Sequence, residues 1–296
     1  MTTMTTGMAG PMRGPATGLT LGRVAHRVDG TDSALARHPM LRPYLTDLTA
    51  THGLALDDEV AGTGQAYAEL AAPAVEAVTS PDEPVDLLVL AYGVPDVQPG
   101  RSAAVYLASR CPGDPLAFAI CDQGPAAAFT ALRLIADYGA ARAVLVVAEQ
   151  AAVPYPLLAP APVPDRHSVV ALLLESGPAP VAVRTHPGVS ADAVDGVLAA
   201  DIAELSGARD DVTLVLGPGL DSGVDGTAGG LPYTGLWARL ADGEPGGLLV
   251  FADHDPGLGY LCVAALEPSP RPTAALAAVA GSGGRGGGVA DMAVKD

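Results

Sequence analysis

The chain has 296 residues, a formal net charge of −17, and hydrophobic residues at 49% of its positions. Acidity on that scale excludes nucleic acid and anionic membrane surfaces as expected partners. Lysine occurs once, as Lys295 in the C-terminal tail, which excludes Schiff-base and phosphate-loop lysine chemistry as well.

The length accommodates one large domain or two closely packed halves. No apolar run approaches the ~18–20 residues of a membrane span. The first residues, MTTMTTGMAGPMRGP, have neither the basic start nor the apolar core of a secretory signal, so a cytoplasmic protein is expected. Cys111, Cys121 and Cys262 show no CxxC or Cys/His ligand spacing. They are expected to be reduced thiols, with no metal site.

In chain order, residues 1–17 are rich in Thr, Gly, Met and Pro and are expected to form a disordered tail, as is 271–296. Thr20 to Val28 alternates as a strand does, and His38 to Thr51 and Gly64 to Val78 follow the helical period. Val85 to Ala91 is a buried strand stopped by Gly93-Val94-Pro95-Asp96, and Ala103 to Arg110 is a short helix. Leu116 to Cys121 is an apolar strand that turns abruptly at Asp122-Gln123-Gly124. Pro125 suits a first helical position, Ala126 to Tyr138 continue the helix, and Gly139 fits a left-handed C-cap. The turn therefore sits at the positive end of a buried helix, where a thiolate or an oxyanion is stabilised. Ala143 to Ala148 is a buried strand, Pro154 to Pro164 holds five prolines and is a rigid connection, and Val169 to Glu175 is a further strand.

From Val181 the order of elements recurs. Ala191 to Leu205 parallels the helix at 64–78. Val212 to Leu216 followed by Gly217-Pro218-Gly219 parallels Val85 to Ala91 and its turn. Leu231 to Leu240 parallels the helix after Cys121, Leu248 to His254 overlays Val144 to Gln150, and Tyr260 to Glu267 overlays Ser168 to Glu175. Such a repeat points to two copies of one βαβ arrangement.

The stretch from Ala117 to Gln150 resembles the nucleophile region of the thiolase superfamily, most closely the ketosynthase III type of β-ketoacyl synthase. Ala117-Phe118, the helix through Ala136-Asp137, Gly139 and the strand Val144–Val147 match in order. The resemblance implies an α/β protein with a five-layer αβαβα fold of two pseudo-repeated halves, 18–176 and 177–270. It also implies a Cys nucleophile, with a His and an Asn that hold the extender carbonyl. Counting back from Gly139, the nucleophile column falls on Asp122 with Gly124 as the turn glycine; counting forward from Phe118, it falls on Gly124. Cys121 lies beside the column. The His column falls at Gly217-Pro218-Gly219, and the Asn column at Asp225 or its neighbours in VDGTAGG.

Each candidate residue has a functional and a structural reading. Cys121 is a nucleophile, or a small core residue at a strand end. Gln123 matches the Gln that stands in the nucleophile column of non-condensing chain-length-factor subunits, or is a solvated turn residue. His254 is a replacement base, or a surface residue paired with its flanking aspartates. Around it, the backbone N–H groups of Gly257 and Gly259 are expected to face a thioester oxygen. His167 is expected to be structural, and His26, His38, His52 and His186 to lack chemical neighbours. Gly217 to Gly223 reads as a turn, not a nucleotide loop.

Two functions stay open at this point. One is a non-condensing, chain-length-factor-like partner of a ketosynthase in polyketide or fatty-acyl specialised metabolism. The other is an acyltransferase or ketosynthase using Cys121 on acyl groups carried by coenzyme A or a phosphopantetheine arm, with no cofactor of its own. The resemblance implies a homodimer, or a heterodimer with a catalytic ketosynthase, joined around residues 105–125. An acyl carrier protein is a further expected partner, although an acidic chain with one lysine offers it little basic surface.

Overall fold

The computed structural model describes residues 18–157, 161–179, 181–220, 230–241, 243 and 246–269. Both predicted tails and Asp225 lie outside the described residues. Nine strands and six α-helices follow one another within these bounds.

The first half contains β1 (Gly18–Asp29), α1 (Leu41–Ala50), α2 (Tyr67–Val78), β2 (Leu87–Tyr92), α3 (Ala103–Ala108), β3 (Leu116–Ile120), α4 (Ala126–Tyr138), β4 (Arg142–Glu149) and β5 (His167–Gly177). The second contains β6 (Ala182–Pro187), α5 (Val194–Ser206), β7 (Val212–Leu216), α6 (Gly235–Ala238), β8 (Leu248–Asp255) and β9 (Tyr260–Pro268). The strand orders are β3-β2-β4-β5-β1 and β7-β8-β9-β6. In each half the first strand is antiparallel to the last, the last is antiparallel to its predecessor, and the remaining pairs are parallel. The two halves thus share one topology, as the recurrence of elements in the sequence predicts. Among the described residues the second half has no counterpart of α3 and β3, which the first half carries between Gly93 and Pro125. Thr20 and Leu21 of β1 join the sheets by pairing with Glu267 and Pro268.

Five layers result. The helices α2 and α3 cover the outer face of the first sheet, around buried Tyr67, Leu70, Val75 and Leu107. On the outer face of the second sheet lies α5, over Val250, Val263 and their neighbours. Between the sheets runs α4, touching β2, β3 and β4 on one side and β6 and β9 on the other. Packed on both sides, α4 is mostly Ala, Leu, Ile and Phe, and Gly139 ends it at φ 63°, as a left-handed cap requires. Phe129 of α4 stacks on Trp237 of α6 (centroids 5.4 Å apart), and Trp237 stacks on Phe251 of β8 (5.6 Å). Truncating that tryptophan to alanine is expected to cost about 3–5 kcal/mol.

One predicted helix is much shorter than its pattern. Leu231 to Leu240 has helical spacing, yet only Gly235–Ala238 is α-helical. Pro232 cannot donate into a helix, and the N–H groups of Tyr233 and Thr234 are taken by Glu149 instead.

Candidate functional site

The C-terminal ends of β2, β3, β4, β7 and β8 converge where the two halves meet, the usual place for a site in an open parallel sheet. The first-half turn leaves β3 at Cys121 and enters α4 at Ala126. Two of its residues take left-handed backbone, Asp122 (φ 61°) and Gly124 (φ 53°). They are the two positions reached by counting the expected nucleophile column from either side.

At Gly124, a Cβ would lie 2.4 Å from Asp255 Oδ2 and 3.4 Å from Leu258 Cδ1. The carboxylate of Asp255 therefore fills the space that a side chain at this turn would need. Its other oxygen, Oδ1, accepts from Gly257 N (2.8 Å) and Leu258 N (3.0 Å), while Asp255 O accepts from Gly259 N (2.7 Å). The amides of Gly257 and Gly259, the expected oxyanion donors, are thus already hydrogen-bonded to Asp255. A negative group at the start of α4 is well placed against the helix dipole.

Cys121 lies half-buried on the other side of the turn. Its Sγ donates to Asp122 Oδ2 at 3.1 Å. Burial, then the Asp122 hydrogen bond and charge, push the thiol above its ordinary range, with a partial offset from Tyr92. Tyr92 is itself pushed up to about 12, mainly by burial. This microenvironment favours thiol over thiolate, the opposite of what activates a cysteine. Gln123 is tied to α4, its Oε1 accepting from Thr130 Oγ1 at 2.6 Å.

At the expected His column, glycine is required by packing. A Cβ on Gly217 would meet the Asp253 carboxyl carbon at 2.2 Å, and one on Gly219 would meet His254 O at 1.8 Å. Gly217 to Leu220 forms a turn closed by Leu220 N to Gly217 O (3.0 Å), and Gly219 N donates to Asp253 Oδ1 (3.0 Å). The Asn column lies largely outside the described residues. At its last position, Gly230 (φ 76°), a Cβ would come within 2.0 Å of Asp165 Oδ2. The chain contains no asparagine at any position.

His254 is buried, and its Nε2 donates to Val189 O at 3.2 Å. Together with Asp255 it lines a cleft of about 440 Å³ at this junction, beside Pro125, Pro162, Pro218 and Gly219. Cys121 is not among the residues lining it.

Two further acids were not singled out by sequence, although the overlay of Val144–Gln150 on Leu248–His254 places them in one column. Glu149 ends β4, and Asp253 occupies the matching place on β8. Burial pushes each up to about 7, partly opposed by hydrogen bonds: Thr234 and Tyr233 for Glu149, Gly219 and His254 amides for Asp253. Glu149 accepts from the N–H groups of Tyr233 (2.9 Å) and Thr234 (3.2 Å) and from the Thr234 hydroxyl, so it fastens the second half to the first. The Thr234 hydroxyl also reaches Ser168 Oγ (2.8 Å), which contacts His26 Nε2 at 3.2 Å. His26 therefore has chemical company, contrary to expectation, and so has His186, 2.6 Å from Asp201 Oδ2. Both partners lie far away in sequence and could not be paired by spacing. His167 accepts from Ala151 N at 3.1 Å, closing the connection between β4 and β5.

Solved structures place this architecture. AbyA1, a tetronic acid condensing enzyme, is 19% identical at TM-score 0.53, covering 84% of this chain and 99% of that one. The acyltransferase ChlB3 is 17% identical at TM-score 0.55, over 86% and 99%. The 3-oxoacyl-(acyl carrier protein) synthase III FabH of Pseudomonas aeruginosa PAO1 is 15% identical at TM-score 0.52, over 85% and 99%. The chain has the ketosynthase III type of thiolase-like fold. No protein-family model and no curated protein matches it in sequence. On this fold, the turn at 122–124 and the segments 217–219 and 253–259 hold glycines and internally paired carboxylates. No helix among the described residues is long and apolar enough to cross a membrane.

Proposed function

We propose that the chain is a non-condensing, chain-length-factor-like subunit of polyketide or fatty-acyl specialised metabolism, acting beside a catalytic ketosynthase. The observation that carries this reading is the Asp255 carboxylate packed against Gly124 and bonded to the loop amides. It removes room for a nucleophile and donors for an oxyanion in one arrangement. The glycines at 217, 219 and 230 and the lack of any asparagine point the same way.

Such a subunit needs a surface for its partner. Strand β3 pairs only with β2, and its other edge is open among the described residues. Around it Val105, Tyr106, Leu116 and Tyr138 are exposed, and Phe118 stacks on Tyr138 at 5.7 Å. An apolar open edge favours pairing with a second strand. In this reading the strand comes from a second copy or from the catalytic ketosynthase. Co-expression with a co-encoded ketosynthase tests the proposal: a stable complex in which only the partner condenses supports it, and a solitary monomer contradicts it.

The second reading, acyl transfer through Cys121 from coenzyme A or carrier-protein thioesters, rests on Cys121 being the one thiol of three that is not buried. An acyl adduct at this residue is its test.

A further inference from the structure

The cleft at the junction has an unusual inventory of hydrogen-bonding groups. Five prolines, Pro125, Pro162, Pro218, Pro232 and Pro256, contribute to its walls, and none carries an N–H. The amides of Gly219 and Gly257 are committed to Asp253 and Asp255. The His254 Nε2 proton is committed to Val189 O. Among the described residues, no lysine or arginine lines the space. Its walls are mainly proline ring surface among these residues, and Asp255 is the one carboxylate residue in them, with no hydrogen bond to its Oδ2 among the described residues. At about 440 Å³ the cleft is within the ~300–1,000 Å³ of small-molecule sites.

A wall of this kind disfavours anions, because proline rings and the committed amides of Gly219 and Gly257 offer nothing to replace their hydration. It suits a ligand that brings donors of its own on an apolar body. We infer that the cleft is a binding site for an amphipathic primary amine, with the ammonium group at Asp255 and a ring or chain against the prolines. The amine is bound non-covalently, with no bond made or broken. This inference does not depend on the subunit reading, because it concerns the shape and donor content of the cleft, not the missing nucleophile.

The test is calorimetric titration of the full chain at neutral pH with tryptamine and with indole-3-propionate, which share a ring and differ in the sign of their charge. Tryptamine should bind, with the acid at least tenfold weaker. Asp255→Asn should weaken tryptamine at least tenfold. Ala161→Lys, at the exposed rim, should do the same through its own ammonium group while leaving the thermal midpoint unchanged. Should Asp255→Asn fail to fold, Ala161→Lys decides alone. Absence of tryptamine binding, equal or tighter binding of the acid, or indifference to Ala161→Lys would overturn the inference.

Discussion

The carboxylate of Asp255 stands where a side chain on Gly124 would have to go, 2.4 Å from the Cβ position, although 131 positions separate them in the chain. The relationship has a direct consequence for repair. Gly124→Cys alone requires the Asp255 carboxylate to shift and places an L-residue at φ 53°, which costs about 1–2 kcal/mol before that shift is counted. A lower thermal midpoint is expected. Gly124→Cys with Asp255→Gly should recover much of the loss. Its new thiol, at the start of α4, should react with iodoacetamide faster than Cys121 does in the parent. A single variant as stable as the parent would show that the two residues do not compete for space.

Stability should fall between about pH 4 and pH 7. Asp96 is pushed up to about 6, and Glu149 and Asp253 to about 7, with burial the main cause in each. Their folded pKa values exceed the unfolded ones, so the folded state holds protons that the unfolded state has released. The stability they contribute is complete below the unfolded values and is lost as pH rises through the folded ones, at up to about 1.4 kcal/mol per pH unit for each group. His167, held below its ordinary 6.5 by burial, opposes them, as does Glu204 at the acid end of the range, held below its ordinary 4.5 by its hydrogen bond from Arg184. Thermal midpoints across this range check the sign, and Glu149→Gln should flatten the slope. A midpoint that rises steadily from pH 4.5 to 7.5 would contradict the burial of these acids.

Cys121→Ala should have a small effect, because the residue is half-buried and its hydrogen bond is to a neighbouring, exposed carboxylate. A loss of about 1 kcal/mol or less is expected in chemical denaturation. Incubation with acyl-coenzyme A should leave no adduct in intact-mass spectra. A mass shift present in the parent and absent in Cys121→Ala would favour the acyltransferase reading.

The open edge of β3 makes an assembly prediction. The complex should bury well over ~1,000 Å², and Leu116→Lys with Tyr138→Lys should dissociate it by introducing unpaired charge into an apolar contact. Light scattering reads the outcome. A parent that is monomeric with and without a ketosynthase partner would remove the edge from consideration.

Most of the fold is legible in the sequence because its central elements are long, apolar and bounded by breakers. Ala126 to Gly139 carries its own start, period and stop, and the repeat of strand ends after Val181 gives the two halves. The site is less legible. Glycines at 217 and 219 leave the expected His column without a side chain, and packing shows what fills that space: Asp253 and the β8 backbone. Asp255 could not be singled out, since its role depends on Gly124 across the interface between halves. Glu149 and Asp253 did leave a signal, a shared column in the internal repeat. Their burial depends on Tyr233, Thr234 and Gly219, which no spacing brings together.

Claisen condensation on a malonyl thioester requires donors that hold the enolate as carbon dioxide leaves, each worth about 3–4 kcal/mol if it resembles one oxyanion-hole donor. Here the loop amides are spent on Asp255, the His column is glycine, and asparagine is absent from the chain. The measurement that bears most directly on the account is release of labelled carbon dioxide from malonyl-loaded carrier protein by the purified chain without any partner. The account predicts no release above background. Turnover that is abolished by His254→Ala would contradict it and would assign the enolate to that histidine.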